Sequence, residues 1–185
     1  MMVSLQAKFQ FTLTPEELEA YVKEEENRVI AKLEAKAKPC VGASEELEKL
    51  AASKKYGMAV VSSSALRRVR ASIKKVDQEK YFPYDHVFSA ATSLPTPTTK
   101  PDPAIYLHSL EVLGKQASEC IAVEDSKSGA LSAIRAKIPV IAYVGSYPTP
   151  EKQGEMAKTL LDLGAAVVMK DWSEFESCVA QIEAL

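Results

Sequence analysis

Cys120-Ile121-Ala122-Val123-Glu124-Asp125-Ser126-Lys127-Ser128-Gly129 is the stretch whose reading decides the fold. Its first four residues are apolar, as a strand covered on both faces requires. Glu124 and Asp125 fall where the strand stops. They therefore face the crevice at the carboxyl end of a parallel sheet, where open α/β folds keep their ligands. Ser126 is placed to cap a following helix, and Gly129 lets that helix pack closely. Adjacent carboxylates need a compensating charge, and Mg²⁺, which takes oxygen ligands and few of them, is the natural candidate. The plainer alternative is an acidic helix N-terminus stabilised by the helix dipole, and this stretch alone leaves both open.

Similar units lie on either side. Met58-Ala59-Val60-Val61 reads as a buried strand, followed by Ser62-Ser63-Ser64 and a helix through about Val76. His86 to Ser89 reads as a short strand, and Ser93 to Thr99 is too rich in proline for helix or central strand. Lys100-Pro101-Asp102-Pro103 leads a helix from Ala104 to Leu113 that Gly114 ends. Pro139 to Val144 is a further strand, residues 150–163 a helix, Ala165 to Met169 a last strand, and Trp172 onward a closing helix. Strands alternating with helices imply a parallel sheet with helices on both faces.

Toward the N-terminus, Thr14-Pro15-Glu16-Glu17 is a helix start, with a cap, an early proline and acids at the positive end of the dipole. The helix is expected to reach about Lys38, with Pro39 beyond it. Its apolar stripe, Leu18, Tyr21, Val22, Val29, Ile30 and Leu33, is broken by Glu25. A second helix, from Gly42 to about Lys55, is expected to turn Leu47 and Leu50 inward. Residues 3–11 alternate strictly, as a strand would, while Met2, Leu5 and Phe9 also share a helical face. Both readings stand.

The chain has 185 residues, 46% of them hydrophobic, which is enough for a real core. A net charge of -2 argues against a nucleic-acid partner. No apolar run approaches the ~20 residues that span a bilayer. The start lacks the basic and apolar succession of a secretory signal. Cys40, Cys120 and Cys178 are odd in number and widely spaced, which predicts buried thiols in a reducing, cytoplasmic setting.

Ser62, Lys100 and the pair Glu124–Asp125 would all meet at one edge of such a sheet. A hydroxyl beside helix-start N–H groups suits a phosphate, a lysine neutralises it, and two acids hold a divalent metal. The competing readings are a helix cap for Ser62 and a solvated loop charge for Lys100. Arg67 and Arg68 could approach an anion but are more ordinary as surface residues. His86 and His108 are read as structural or exposed, with no catalytic role. No G-x-G-x-x-G occurs, which sets aside a dinucleotide-binding oxidoreductase.

Val60-Val61-Ser62-Ser63-Ser64, Lys100-Pro101-Asp102-Pro103 and Val123-Glu124-Asp125-Ser126-Lys127-Ser128-Gly129 resemble motifs II, III and IV of the haloacid dehalogenase superfamily. The likeness is to its phosphatase and β-phosphoglucomutase-like branch, which carries a helical cap. The resemblance implies a three-layer, Rossmann-like α/β core with a parallel sheet over residues 39–185, and a partial helical cap over residues 1–38. It implies that Ser62 and the Ser63 amide bind a phosphoryl group. Lys100 would then be the catalytic and phosphate-binding lysine, and Glu124 and Asp125 would hold Mg²⁺.

The family's first motif, Asp-x-Asp, supplies its nucleophile and its general acid. It is not found here: the first aspartate of the chain is Asp77. The chain thus resembles a member truncated of its first core strand, which lies between the Met58 and Cys120 strands. That loss would expose unpaired backbone. The gap could close directly, take a strand from another subunit through self-association, or accept residues 3–11. The expected lineage is Mg²⁺-dependent phosphate-monoester hydrolysis on a small phosphorylated metabolite, with no turnover by the aspartyl-phosphate route in these residues. The alternative is a non-catalytic module binding a phosphate, a metabolite or a protein.

Overall fold

The structure, a computed structural model, describes residues 13–185. The two readings of residues 3–11, including their insertion as a strand, lie outside the described residues.

Helix α1 (Pro15–Lys36) opens with a reciprocal cap. Thr14 Oγ1 accepts from the Glu17 N–H at 3.2 Å, and Glu17 Oε2 accepts from the Thr14 N–H at 2.9 Å. Helix α2 (Ala43–Ser53) follows. Strand β1 (Val60–Ser62), helix α3 (Leu66–Lys75), strand β2 (Val87–Ser89) and helix α4 (Ala104–Leu113) come next. Strand β3 (Ala122–Glu124), helix α5 (Lys127–Arg135), strand β4 (Val140–Tyr143), helix α6 (Pro150–Asp162), strand β5 (Val167–Met169) and helix α7 (Phe175–Glu183) complete the chain. Gly114 ends α4 at φ 61°, and Lys137 turns the chain before β4 at φ 65°.

All pairings are parallel. β1 pairs with β2, Val61 opposite Phe88, and β4 pairs with β3 and β5, Ile141 opposite Val123 and Val167. Alternate residues of β4 serve opposite faces, as the strand period demands. Val140, Ala142 and Val144 join a core with Ile105, Ala130, Ala133 and Leu160 of α4, α5 and α6. Ile141 joins Met169, Cys178 and Val179 on the side covered by α7. The result is a three-layer α/β arrangement.

The strands form two sheets, β1–β2 and β3–β4–β5. Among the described residues β1 does not pair with β3, so the direct closure of the gap does not occur there. This seam positions the site described below.

Several expectations are corrected. In α2, Ala43 and Glu46 are the buried residues, while Leu47 and Leu50 are half-buried. The Glu46 carboxylate is paired with Lys49 at 3.0 Å, so a glutamate with a partner takes the inward position. No residue of α1 is buried, and Tyr21 and Val22 are 54% and 48% exposed. Glu25, the break in its stripe, faces Arg68 of α3 and pairs with it. Of the cysteines, all free, Cys178 is buried, Cys120 half-buried and Cys40 exposed, so the expectation of buried thiols fails at Cys40. Among the described residues no helix is long and apolar enough to cross a membrane.

Candidate active site

The end of β1 is shaped by serine hydroxyls. Ser62 Oγ accepts from the Ser64 N–H at 3.1 Å, closing a tight turn. It does not cap α3. That helix begins later, and its Leu66 N–H donates instead to Thr92 Oγ1 at 3.2 Å. Ser63 Oγ accepts from the Lys100 N–H at 3.1 Å, which ties the loop after β1 to the start of the Lys100-Pro101-Asp102-Pro103 segment.

That segment is fixed from two sides. The Lys100–Pro101 peptide is cis. From α5, Ser132 Oγ donates to the Asp102 carbonyl at 2.7 Å and the Arg135 guanidinium to the Pro101 carbonyl at 2.8 Å. Asp102 Oδ1 accepts from the Ala104 N–H at 2.8 Å, a turn bond that leads the chain into α4.

Lys100 is thereby turned into the seam between the two sheets. Its Nζ donates to the Val61 carbonyl at 2.8 Å and forms an ion pair with Glu124 Oε1. The side chains of Lys100 and Glu124 are only 8% and 10% exposed. Beneath them lies Tyr106, in the first turn of α4. Its ring centroid is 4.8 Å from Lys100 Nζ, and its hydroxyl donates to the same Glu124 Oε1. Burial, with the Glu124 charge adding to it, pushes the Tyr106 phenol far above its ordinary range, so it stays a donor.

Glu124 Oε2 lies against Gly129, where any Cβ would overlap it. Ser126 Oγ accepts from the Gly129 N–H at 3.1 Å and caps α5, as its sequence position predicts. Asp125, next along the chain, is exposed. Its backbone carbonyl accepts from the Tyr147 hydroxyl at 2.8 Å. The Tyr147 phenol is pushed up by burial and then by the Asp125 charge, and burial likewise raises that of Tyr143.

Ser62, Ser63, Lys100, Glu124 and Asp125 therefore gather at the carboxyl ends of β1 and β3. Arg67 and Arg68 do not join them. Arg67 binds Glu26 at 2.6 Å and Asn27 at 3.2 Å, and Arg68 pairs with Glu25, all on α1. His86 Nδ1 lies 3.1 Å from the Met58 carbonyl, and the His108 ring packs edge-on against Phe88 at 5.9 Å. Both are structural.

The donor set was tested against Mg²⁺, which keeps several waters and takes one or two carboxylates plus phosphate oxygens. Glu124 Oε1 already accepts from Lys100 and Tyr106, and its Oε2 is packed on Gly129. Asp125 is the carboxylate that is exposed at the strand end. Among the described residues no group of three or more histidine, cysteine or acidic side chains converges as a closed metal cage. Of the two acids, Asp125 is therefore the one whose carboxylate could take a cation.

Sequence reasoning missed Tyr106 and Tyr147. The signal for Tyr106 was present: a tyrosine on the buried face of an apolar helix start must find a hydrogen-bond partner.

The family model of the haloacid dehalogenase-like hydrolases matches residues 3–143. A phosphorylated carbohydrates phosphatase of Thermotoga maritima is 34% identical over 149 residues, covering 80% of this chain and 62% of that protein. A 6-phosphogluconate phosphatase of Escherichia coli is 34% identical over 86 residues, covering 46% of this chain and 37% of that protein. The chain thus spans less than two thirds of the length of either relative. Among solved structures, a family IA hydrolase of Entamoeba histolytica superposes with a TM-score of 0.75 at 25% identity, over 97% of this chain and 77% of that one. A β-phosphoglucomutase of Clostridium difficile shares the fold at a TM-score of 0.72 and 18% identity, over 99% of this chain and 77% of that one.

Proposed function

The chain belongs to the haloacid dehalogenase-like hydrolases, and from that premise we propose that its crevice handles the phosphate of a small phosphorylated metabolite, of the sugar-phosphate class. The names of both curated relatives support that substrate class. The observation that carries the reading is the position of Lys100 Nζ. It bridges the Val61 carbonyl on one sheet and Glu124 on the other, and so draws three separated segments to one point.

The roles follow from which donors remain free. An ammonium has three N–H groups. The bonds to Val61 and Glu124 use two, and the third is left for a phosphoryl oxygen. Ser62 Oγ is an acceptor for the Ser64 N–H, so its own O–H is free to donate to the same group. Ser63, whose hydroxyl holds the Lys100 backbone, contributes its amide and fixes the spacing of the two segments. Glu124 orients the lysine. Asp125 is the residue we assign to Mg²⁺, with Glu124 in support. When bound, the metal supplies charge neutralisation of the phosphate. Cytoplasmic work on a soluble metabolite is the setting that goes with this chemistry.

These residues bind and orient a phosphate but do not attack it. Asp77 and Asp162 are paired with Lys80 and Lys158, Asp102 and Asp171 accept from the backbone N–H groups of Ala104 and Ser173, and Asp85 lies at the amino end of β2. Asp125 is taken by the metal role. The 185 residues therefore act as a phosphate- and metabolite-binding body and do not turn over an ester through an aspartyl-phosphate. The test is phosphate release from p-nitrophenyl phosphate with Mg²⁺. We expect none above background, and turnover that Asp125→Asn abolishes would overturn this conclusion. Inorganic phosphate, followed by NMR, should perturb Lys100 and Ser62 first.

A further inference from the structure

We infer that Tyr106 and Gly129 are positioning residues that clamp Glu124 between them, and that this clamp aims the Lys100 ammonium at the crevice. The inference rests on the phosphate reading of Lys100 and adds two residues to it.

A lysine side chain has four rotatable bonds, and a carboxylate partner alone does not fix its direction. Here the partner is itself held. The Tyr106 hydroxyl donates to Glu124 Oε1, the oxygen that also receives Lys100 Nζ. The other oxygen, Oε2, occupies the space that a side chain at position 129 would fill. Glu124 thus has one oxygen engaged by two donors and the other seated on a helix backbone, which leaves its carboxylate a single orientation. Lys100 then reaches Glu124 only from the side of the Val61 carbonyl, across the Tyr106 ring. Gly129 has three atoms of Glu124 as the nearest neighbours of the place where a Cβ would lie. It lies inside α5, where alanine is the better helix former, and its φ is not among the positive ones.

A clamp of this kind shields the ammonium from exchange with water. The readout is the ¹H–¹⁵N signal of lysine side-chain ammonium groups at neutral pH, with the Lys100 peak assigned by its loss in Lys100→Met. We expect a protected Lys100 peak in the wild-type chain. In Tyr106→Phe, which removes only the hydroxyl, its exchange should quicken at least tenfold, the order expected for losing one hydrogen bond to a charged group. Gly129→Ala should do the same while leaving α5 intact by circular dichroism. A merely structural role would shift the melting temperature without changing ammonium protection. Protection unchanged in Tyr106→Phe overturns the clamp, and so does a wild-type chain with no protected peak. If Gly129→Ala fails to fold, Tyr106→Phe decides alone. Added inorganic phosphate separates the two claims. Tyr106-dependent protection with no response to phosphate sinks the phosphate reading and leaves the clamp standing. A phosphate response with protection indifferent to Tyr106 does the reverse.

Discussion

Strands β4 and β1 have similar sequences and different lives. Val140-Ile141-Ala142 of β4 is flanked by β3 and β5 and fully buried, while Val60-Val61-Ser62 of β1 has β2 on one side and is half-buried throughout. Neighbours, more than composition, decide how much water each excludes. The difference also explains where the polar site lies. A carbonyl inside the three-stranded sheet has a ladder partner. That of Val61, at the seam, is free to take an ammonium, and Lys100 supplies it. The seam that weakens the sheet is where charge can be held.

The largest effect should separate the two strands. Ile141→Ala removes a fully buried side chain in a close-packed layer and should cost about 4 kcal/mol in urea unfolding. Val61→Ala, at the half-buried seam, should cost about 1 kcal/mol. Equal costs would break the comparison and mean that the seam is as well packed as the sheet.

A somewhat smaller effect tests the charge held there. Lys100→Met leaves Glu124 nearly buried without its counter-charge and should cost about 3 kcal/mol. Adding Glu124→Gln should restore most of it, because the stranded charge is then gone. A double variant as unstable as the single one would show that packing of the lysine stem, and not the pair, holds the seam.

The alkaline limb gives a third test. Tyr106 has a folded pKa raised above the unfolded value of 10.0. Its contribution is complete below pH 10. Above that the unfolded chain releases the proton and the folded one does not, so stability falls by about 1.4 kcal/mol per pH unit. Tyr106→Phe should remove that component of the slope between pH 10 and 11. An identical slope in the variant would mean that the hydroxyl is not buried against Glu124.

Much of this was legible in the sequence, for reasons particular to each element. The Cys120 to Gly129 run carries a strand, a cap and a glycine in fixed order, and the structure forms β3, the Ser126 cap and α5 there. Glu25 and Glu46 were not legible. A charged residue at an apolar position reads as a flaw until its partner is known. Their partners differ in kind: Arg68 lies far along the chain, Lys49 within the same helix. Tyr106 was passed over for a similar reason. Its ring satisfies the apolar pattern of α4, and only the fold shows that its hydroxyl meets a carboxylate contributed by β3. Local signals fix elements, and pairings between distant elements appear only when the chain is folded.

The smallest effect concerns the ion pairs that join α1 to α3. Arg68 and Glu25 join a cation to a carboxylate as Lys100 and Glu124 do, but their side chains are 25% and 36% exposed and water screens them. Arg68→Ala should therefore cost about 0.5 kcal/mol, and 1 M salt should erase most of the difference. Lys100→Met should keep its cost in the same salt, because its partner is nearly buried. Among the described residues, helix α1 is held by these contacts and by its half-buried Leu18, Val29, Ile30 and Leu33. The Arg68→Ala loss should accordingly appear as faster amide exchange along α1, with β3 and β4 unchanged. A salt-resistant loss of about 3 kcal/mol would instead make the α1–α3 contact as essential as the seam, and the contrast between an ion pair that orients chemistry and one that tethers a helix would have to be given up.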